Sequence, residues 1–351
     1  MANKIIFIQT AFLGDLLLSV PSFKYLKNKN PQAEITLVGR SGVSTILKDL
    51  GLVDRVFEIQ KGKYSTYKKI IKELESETFD LLISPHESFT TGRFVRKIKS
   101  RKKIGYSKFW NLFIFDHRIE RNWNLPEAIR QMELLTSLDG ELKKKIGDYL
   151  LSNPPGNMNP VPDWASMSMR RSIKTWGSYL KLNVKRKYVC LFPGSVWATK
   201  QWTETGYRDL AQQLLREFDV ILMGGKPEIA LSERVSKDIP NVQILTGQTS
   251  LKETLQILVN AEFVVTNDSA GQHLAALADV PTVSIFGPTV LSFGFRPWNS
   301  KAVVVENNSL DCRPCGMHGH QICPKGHHRC MKDITADQVL KSIQLLQRQV
   351  P

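Results

Sequence analysis

Long hydrophobic runs are missing from this 351-residue chain. No window approaches the roughly 18 to 20 apolar residues of a membrane span. The opening MANKIIFIQTAFLGDLLLSVP is interrupted by Gln9, Thr10, Gly14 and Asp15 where a secretory segment stays continuous, so it is expected to be mature structure in the cytoplasm. The sequence contains no GxxxxGK[ST] and no GxGxxG, which argues against a P-loop ATPase or an ordinary dinucleotide dehydrogenase. Without G-x-S-x-G, a Ser-His-Asp hydrolase is poorly supported. No repeat of solenoid length is present. Acidic residues are in short supply, 33 against 48 Lys plus Arg, giving a formal charge of +15. That field favours anionic partners: nucleic acid, an anionic membrane or a phosphorylated substrate. The excess is concentrated in Arg93, Arg96, Lys97, Lys99, Arg101, Lys102 and Lys103, a stretch without an acid, although a solvated helix face accounts for several of these.

The length suits two domains, each able to bury a core. Short β-branched runs (Ile5–Ile8, Ile35–Val38, Phe79–Ile83) alternate with helical stretches such as Leu16–Asn28 and Tyr64–Glu77, the pattern of a parallel sheet covered on both faces. The proline-rich segment Ser152–Pro162 sustains neither element and reads as a linker. Alternation then resumes at Tyr188–Phe192, Val220–Met223, Phe263–Val265 and Thr282–Ile285. The expected organisation is a first domain over 1–160, a second over 161–334 containing a Cys-rich loop at 310–332, and a final helix in 335–351 that could pack back onto the first domain. Two such domains are expected to face one another across a cleft.

The strand-end elbows carry the candidate chemistry. Asn267-Asp268-Ser269-Ala270-Gly271 is followed by His273 on a helical pattern, so unpaired N–H groups and a positive dipole end await an anion, with small residues admitting a diphosphate. Asn-Asp-Ser as a plain helix cap explains the same residues. Gly194 and Ser195 suit contacts to phosphate, Lys200 can meet charge on a leaving diphosphate, and Gly224, Gly225 and Glu228 form a third elbow with a carboxylate for ribose hydroxyls. Asp15, beside Gly14 after the first strand, is either a helix N-cap or a general base. Cys312, Cys315, Cys323 and Cys330 run C-x2-C-x7-C-x6-C among His318, His320, His327 and His328. They could enclose a structural Zn or Fe ion or remain four reduced thiols in a packed loop. Cys190 stands alone on a strand and reads as core.

FIQTAFLGDLLLSVP, FPGSVWATKQW, VVTNDSAGQHLAAL with FGPT, and CRPC...CPKGHHRCMKDIT occur in that order along essentially the whole chain. Together they resemble the ADP-heptose:lipopolysaccharide heptosyltransferases of glycosyltransferase family 9, most like the heptosyltransferase II branch. The resemblance implies a GT-B fold of two Rossmann-like domains and inverting transfer of heptose from ADP-heptose to the lipopolysaccharide inner core. It makes Asp15 the base and Lys200 the residue on the donor diphosphate, with Ser195, Val196, Glu228, Thr249, Asp268, Ser269, Ala270 and His273 on the donor. Gly14, Arg93, Arg96 and Lys97 are expected on the acceptor side. Val196 lacks a hydroxyl present in some members, and Asn-Asp-Ser-Ala-Gly-Gln replaces a commoner run with glycine directly after Ser or Thr. Both departures leave the sugar nucleotide open. No cofactor is expected for catalysis, no nucleic acid as partner, and the location implied is cytoplasmic, peripheral at the inner face of the cytoplasmic membrane. Rival readings are a protein (autotransporter) heptosyltransferase and a nucleic-acid-binding protein with a Cys/His knuckle.

Overall fold

The computed structural model describes residues 2–177 and 182–349, so Val350 and Pro351 of the 335–351 segment lie outside the described residues. The chain divides into two units. The first runs to Pro155 and takes in Pro162–Ala165; the second comprises Gly156–Val161 and everything from Ser166 onward. The linker segment is thus shared, its glycine- and asparagine-bearing half packing with the second unit.

In the first unit, β1 (Lys4–Gln9), β2 (Glu34–Arg40), β3 (Arg55–Ile59), β4 (Phe79–Ser84), β5 (Ser100–Tyr106) and β6 (His117–Ile119) form one sheet in the order β3-β2-β1-β4-β5-β6. The second unit repeats this plan with β7 (Tyr188–Phe192), β8 (Asp219–Leu222), β9 (Val242–Ile244), β10 (Val264–Asn267), β11 (Thr282–Phe286) and β12 (Ala302–Glu306), ordered β12-β11-β10-β7-β8-β9. Every pairing is parallel. The inner strands are apolar on both faces because helices cover both, as Ile5, Ile6, Phe7 and Ile8 show by being wholly buried. In each sheet the strand order reverses once, between β1 and β4 and between β7 and β10. Ligands of open parallel sheets bind at such reversals, beyond the carboxyl ends of the strands.

Two expectations need correction. The helix after β1 is not continuous: Leu13–Leu17 and Val20–Lys29 are separate, because Pro21 has no N–H to extend the first ladder into the second. The final helix, Ala336–Gln349, does not leave its own unit. Val339, Ile343 and Leu346, an apolar stripe at helical spacing, are buried in one cluster with Val283, Ile285 and Val305 of the second sheet. The basic stretch divides: Arg93, Arg96 and Lys97 are exposed on the end of the helix Phe89–Lys97, the solvated helix face expected for several of these residues, while Arg101, Lys102 and Lys103 lie on β5.

Candidate functional site

At the second unit's reversal, the ends of β7 and β10 are joined by one buried side chain. Asn267 Nδ2 donates to the carbonyls of Pro193 (2.8 Å) and Gly194 (3.3 Å), and its Oδ1 accepts from Trp202 N (3.0 Å) and the Tyr207 hydroxyl (3.1 Å). A buried amide with its bonding capacity filled fixes the two elbows rigidly. Lys200 closes the 3-10 turn Ala198–Lys200 and donates to Asp268 Oδ2 at 2.5 Å, with both side chains largely buried. Asp268 also accepts from Thr289 Oγ1 (2.6 Å) and Gln272 Nε2 (3.1 Å). Ser269 caps the helix Ala270–Ala278 by accepting from Gly271 N. One turn in, burial lowers the His273 pKa to about 4, Lys200 adding to the effect and Asp268 opposing it, so the ring is neutral at pH 7. His273 Nδ1 and Gln272 Oε1 are buried and, among the described residues, have no hydrogen-bond partner. A neutral buried imidazole beside an ammonium and a helix N-terminus makes this end of the sheet suited to an anion.

The β8 elbow joins this group through Glu228. Its Oε2 accepts from Gly225 N, and burial raises its pKa against that bond. A Cβ on Gly194 would lie 2.3 Å from Glu228 Cδ, and one on Gly224 would lie 2.7 Å from Glu228 Oε2. These glycines therefore make room for Glu228 itself, and three elbows converge on Gly194. A side chain on Gly271 would meet Thr266 Oγ1 at 2.6 Å and Phe192 Cγ at 3.0 Å, so this glycine lets the helix sit against the strands. Thr249 is half-buried and bonded to Thr254 Oγ1, while Gly247 N donates to Gly224 O, which ties that segment to the β8 elbow. Val196 is exposed, and its carbonyl accepts from Gln321.

The Cys-rich loop leans on the Lys200 turn. Thr199 N donates to the His320 carbonyl (3.0 Å), His320 N donates to Thr199 Oγ1 (2.7 Å), and His328 Nε2 lies 2.8 Å from the Thr199 carbonyl. His318 stacks on Trp197. Burial first, then the Cys315 thiol, raise the Cys330 thiol to about 11, with Arg313 opposing. Among the described residues, however, no group of three or more His, Cys, Asp or Glu side chains is arranged to hold a metal ion. The Cys315 thiol instead donates to the Cys312 carbonyl at 2.9 Å. Cys190 is core, as expected.

At the first unit's reversal, Asp15 is the third residue of Leu13–Leu17, with Phe12 as N-cap, so it is not the cap that its sequence position allowed. Burial first and the Glu127 carboxylate second raise its pKa to about 6, against Arg121 and the backbone N–H groups of Phe12 and Asp15. Glu127 is buried and held by Arg121 Nη2 (2.6 Å), Arg130 Nη1 (2.6 Å) and Gln131 Nε2 (3.1 Å). Gln131 also donates to the Asp15 carbonyl (3.1 Å). Beyond β4, His86 Nδ1 lies 2.7 Å from Thr91 Oγ1 and 3.0 Å from Thr10 Oγ1, and burial with Lys61 lowers its pKa to about 4. Arg40 and Lys61 both lie over the Phe12 ring, and Arg40 Nη1 is buried without a partner among the described residues. A half-buried carboxyl poised near neutrality, with cations beside it, can take a proton from an anionic substrate's hydroxyl.

Sequence reading missed His86, Arg121, Glu127, Arg40 and Lys61. His86 alone had a readable signal, a polar residue just past an apolar run. The structure leaves Arg93, Arg96 and Lys97 exposed on the Phe89–Lys97 helix, and none of them is among the charges acting on Asp15.

The sequence pattern of the family described as Glycosyltransferase family 9 (heptosyltransferase) matches residues 67–323. Lipooligosaccharide heptosyltransferase 2 of Campylobacter jejuni is 23% identical over 346 residues, covering 96% of each chain. Among solved structures, the chain is similar to E. coli ADP-heptose lps heptosyltransferase II, with a TM-score of 0.73, 20% identity and 99% of each chain covered. It is also similar to the bacterial iron-containing dodecameric glycosyltransferase TibC from enterotoxigenic E. coli H10407, with a TM-score of 0.56, 15% identity, and coverage of 100% of this chain and 77% of that one.

Proposed function

The chain belongs to glycosyltransferase family 9, the heptosyltransferases, and from that premise we propose that it moves a heptosyl group from ADP-heptose to the inner core of lipopolysaccharide. Supporting the donor are the activities for which its relatives are named and the Lys200–Asp268 pair at the mouth of the Ala270–Ala278 helix. The diphosphate would take the helix N-terminus, Lys200 and a hydrogen bond donated by His273 Nδ1. Glu228, Thr249 and the Gly224–Gly225 backbone would face the nucleoside. The observation that carries the reading is the gathering of a cation, an orphaned neutral imidazole and a capped helix N-terminus at one strand-order reversal.

On the first unit, Asp15 would remove the proton from the acceptor hydroxyl as that oxygen attacks the anomeric carbon. The bond from that carbon to the diphosphate oxygen breaks, and Lys200 meets the charge left on ADP. Attack opposite the leaving group inverts configuration. Arg40 and Lys61 suit an acceptor bearing carboxylate or phosphate. The supply of positive charge removes the need for a divalent cation on the diphosphate.

The metal proposal is separate from catalysis. Cys312, Cys315, Cys323 and Cys330 would supply the thiolates for a structural Zn or Fe ion only after rearranging, since they are not grouped for a metal and the Cys315 thiol must first leave the Cys312 carbonyl. No described helix is long and apolar enough to cross a membrane; residence at the inner face of the cytoplasmic membrane is part of the proposal. Incubation with radiolabelled ADP-heptose and heptose-deficient lipopolysaccharide tests the function. Label in the lipid fraction with release of ADP is expected, and label only in added autotransporter protein, or none, would overturn the acceptor assignment.

A further inference from the structure

The first unit displays apolar side chains that its core does not explain. Phe109 and Phe113 are 93% and 95% exposed, and Leu112 is about half exposed. All three stand within the five residues that open with the turn Phe109–Asn111. The loop is firmly built beneath them. Asn111 is buried, donating to the Tyr106 carbonyl (2.8 Å) and accepting from Lys108 N (3.0 Å), and the Phe115 ring fills the space over Gly105. Three large apolar groups held out on a fixed base form a prepared contact surface, not a poorly packed segment.

What surrounds them indicates the occupant. Trp110 sits over Gly92, where a side chain would come within 2.2 Å of the indole, and it meets Phe89 edge to face at 5.7 Å. Phe89 is itself 59% exposed. The loop is thereby seated on the helix that presents Arg93, Arg96 and Lys97 to solvent, and among the described residues no carboxylate pairs with any of the three. The nearby Glu87 is already shared by Lys108 (3.0 Å) and Arg121 (2.9 Å), so it does not offset them. Projecting aromatic and aliphatic tips beside unpaired cations complement the acyl boundary and headgroups of an anionic bilayer.

We propose that this chain docks on an anionic phospholipid bilayer by inserting Phe109, Leu112 and Phe113, with Arg93, Arg96 and Lys97 on the headgroups. This names the surface behind the membrane contact proposed above, but it does not depend on the transfer reaction.

The test is co-sedimentation of the full chain with phosphatidylethanolamine–phosphatidylglycerol vesicles and with phosphatidylcholine vesicles, in the absence of donor and acceptor. Binding to the anionic vesicles is expected, weakening with salt. The Phe109→Ser/Phe113→Ser double variant should bind at least about tenfold more weakly. Replacing Arg93, Arg96 and Lys97 by Gln should weaken binding roughly fivefold per charge. Both variants should keep the wild-type melting temperature and ADP affinity, because the altered groups are exposed. Equal vesicle binding by wild type and the double variant would overturn the proposal, as would no binding by wild type. Loss in the double variant of a self-association seen by sedimentation, without vesicle binding, would assign the surface to a second copy. A chain that binds vesicles but transfers no sugar would refute only the enzymatic reading.

Discussion

Lys200 and Asp268 form a buried ion pair, Nζ to Oδ2 at 2.5 Å, that joins two strand-end elbows 68 residues apart in sequence. The ammonium is held by Asp268 before any substrate arrives, so it is oriented as well as charged. Breaking such a pair on one side leaves a buried charge short of its partner.

Lys200→Ala should therefore weaken ADP-heptose binding and lower kcat by roughly 10²- to 10³-fold, the range for losing one preorganised charge donor. Its melting temperature should also fall, because Asp268 keeps only Thr289 and Gln272. Lys200→Arg should restore part of the activity, a planar fork fitting poorly where a point charge sat. Steady-state kinetics and thermal melts decide the matter, and an Ala variant with normal affinity and rate would remove Lys200 from the leaving-group role.

Asp15→Asn should reduce turnover by about 10²- to 10⁴-fold while leaving ADP affinity nearly unchanged. In the wild type, kcat/KM should fall as pH drops through about 6, where Asp15 takes up a proton and can no longer accept one. The stability sign is the reverse. A carboxyl whose folded pKa lies above its ordinary value near 3.8 favours the fold while protonated, and that contribution is lost as pH rises through about 6. Asp15→Asn should thus be more stable than wild type at pH 8, by up to about 3 kcal/mol, with the advantage gone near the ordinary carboxyl value. Denaturant melts across that range would expose the idea as wrong if the variant were less stable throughout.

Gly194→Ala should disturb three elbows at once, because its Cβ would arrive 2.3 Å from Glu228 Cδ and Glu228 holds the Gly225 N–H. About tenfold weaker ADP binding is expected. Adding Glu228→Ala removes the clash, so the double variant should regain part of the melting temperature that Gly194→Ala loses, while the nucleoside contact of Glu228 stays lost. Thermal melts showing no difference between the two would mean that the elbows do not depend on this contact.

Protein purified without an affinity tag under reducing conditions should contain about one equivalent of Zn or Fe, held by Cys312, Cys315, Cys323 and Cys330. Chelation should lower the melting temperature and, because Thr199 is bound to His320 and His328, should also reduce turnover by loosening the Lys200 turn. Less than a tenth of an equivalent, with four titratable thiols and an unchanged melt, would leave a packed loop of reduced cysteines.

The alternation of apolar runs with helical stretches determined the two parallel sheets, since a strand buried on both faces must be apolar throughout whatever its neighbours are. The elbows at Asp15, Gly194–Lys200, Gly224–Glu228 and Asn267–His273 were legible for the same reason: small and polar residues interrupt those runs where strands end. Short edge strands such as β6 and β9 were not legible, having three residues each and no periodicity to read. Tertiary structure alone decided which groups meet. Asn267 looked like a cap and proved to be the tie between β7 and β10, and Gly194 and Gly271 proved to serve neighbouring side chains. Arg121 and Glu127, more than 100 residues from Asp15, set its acidity through burial and charge. Local pattern fixes secondary structure because its hydrogen bonds and side-chain periods are local. Electrostatics and close packing depend on distance through space, which a parallel fold assigns by strand order and not by position along the chain.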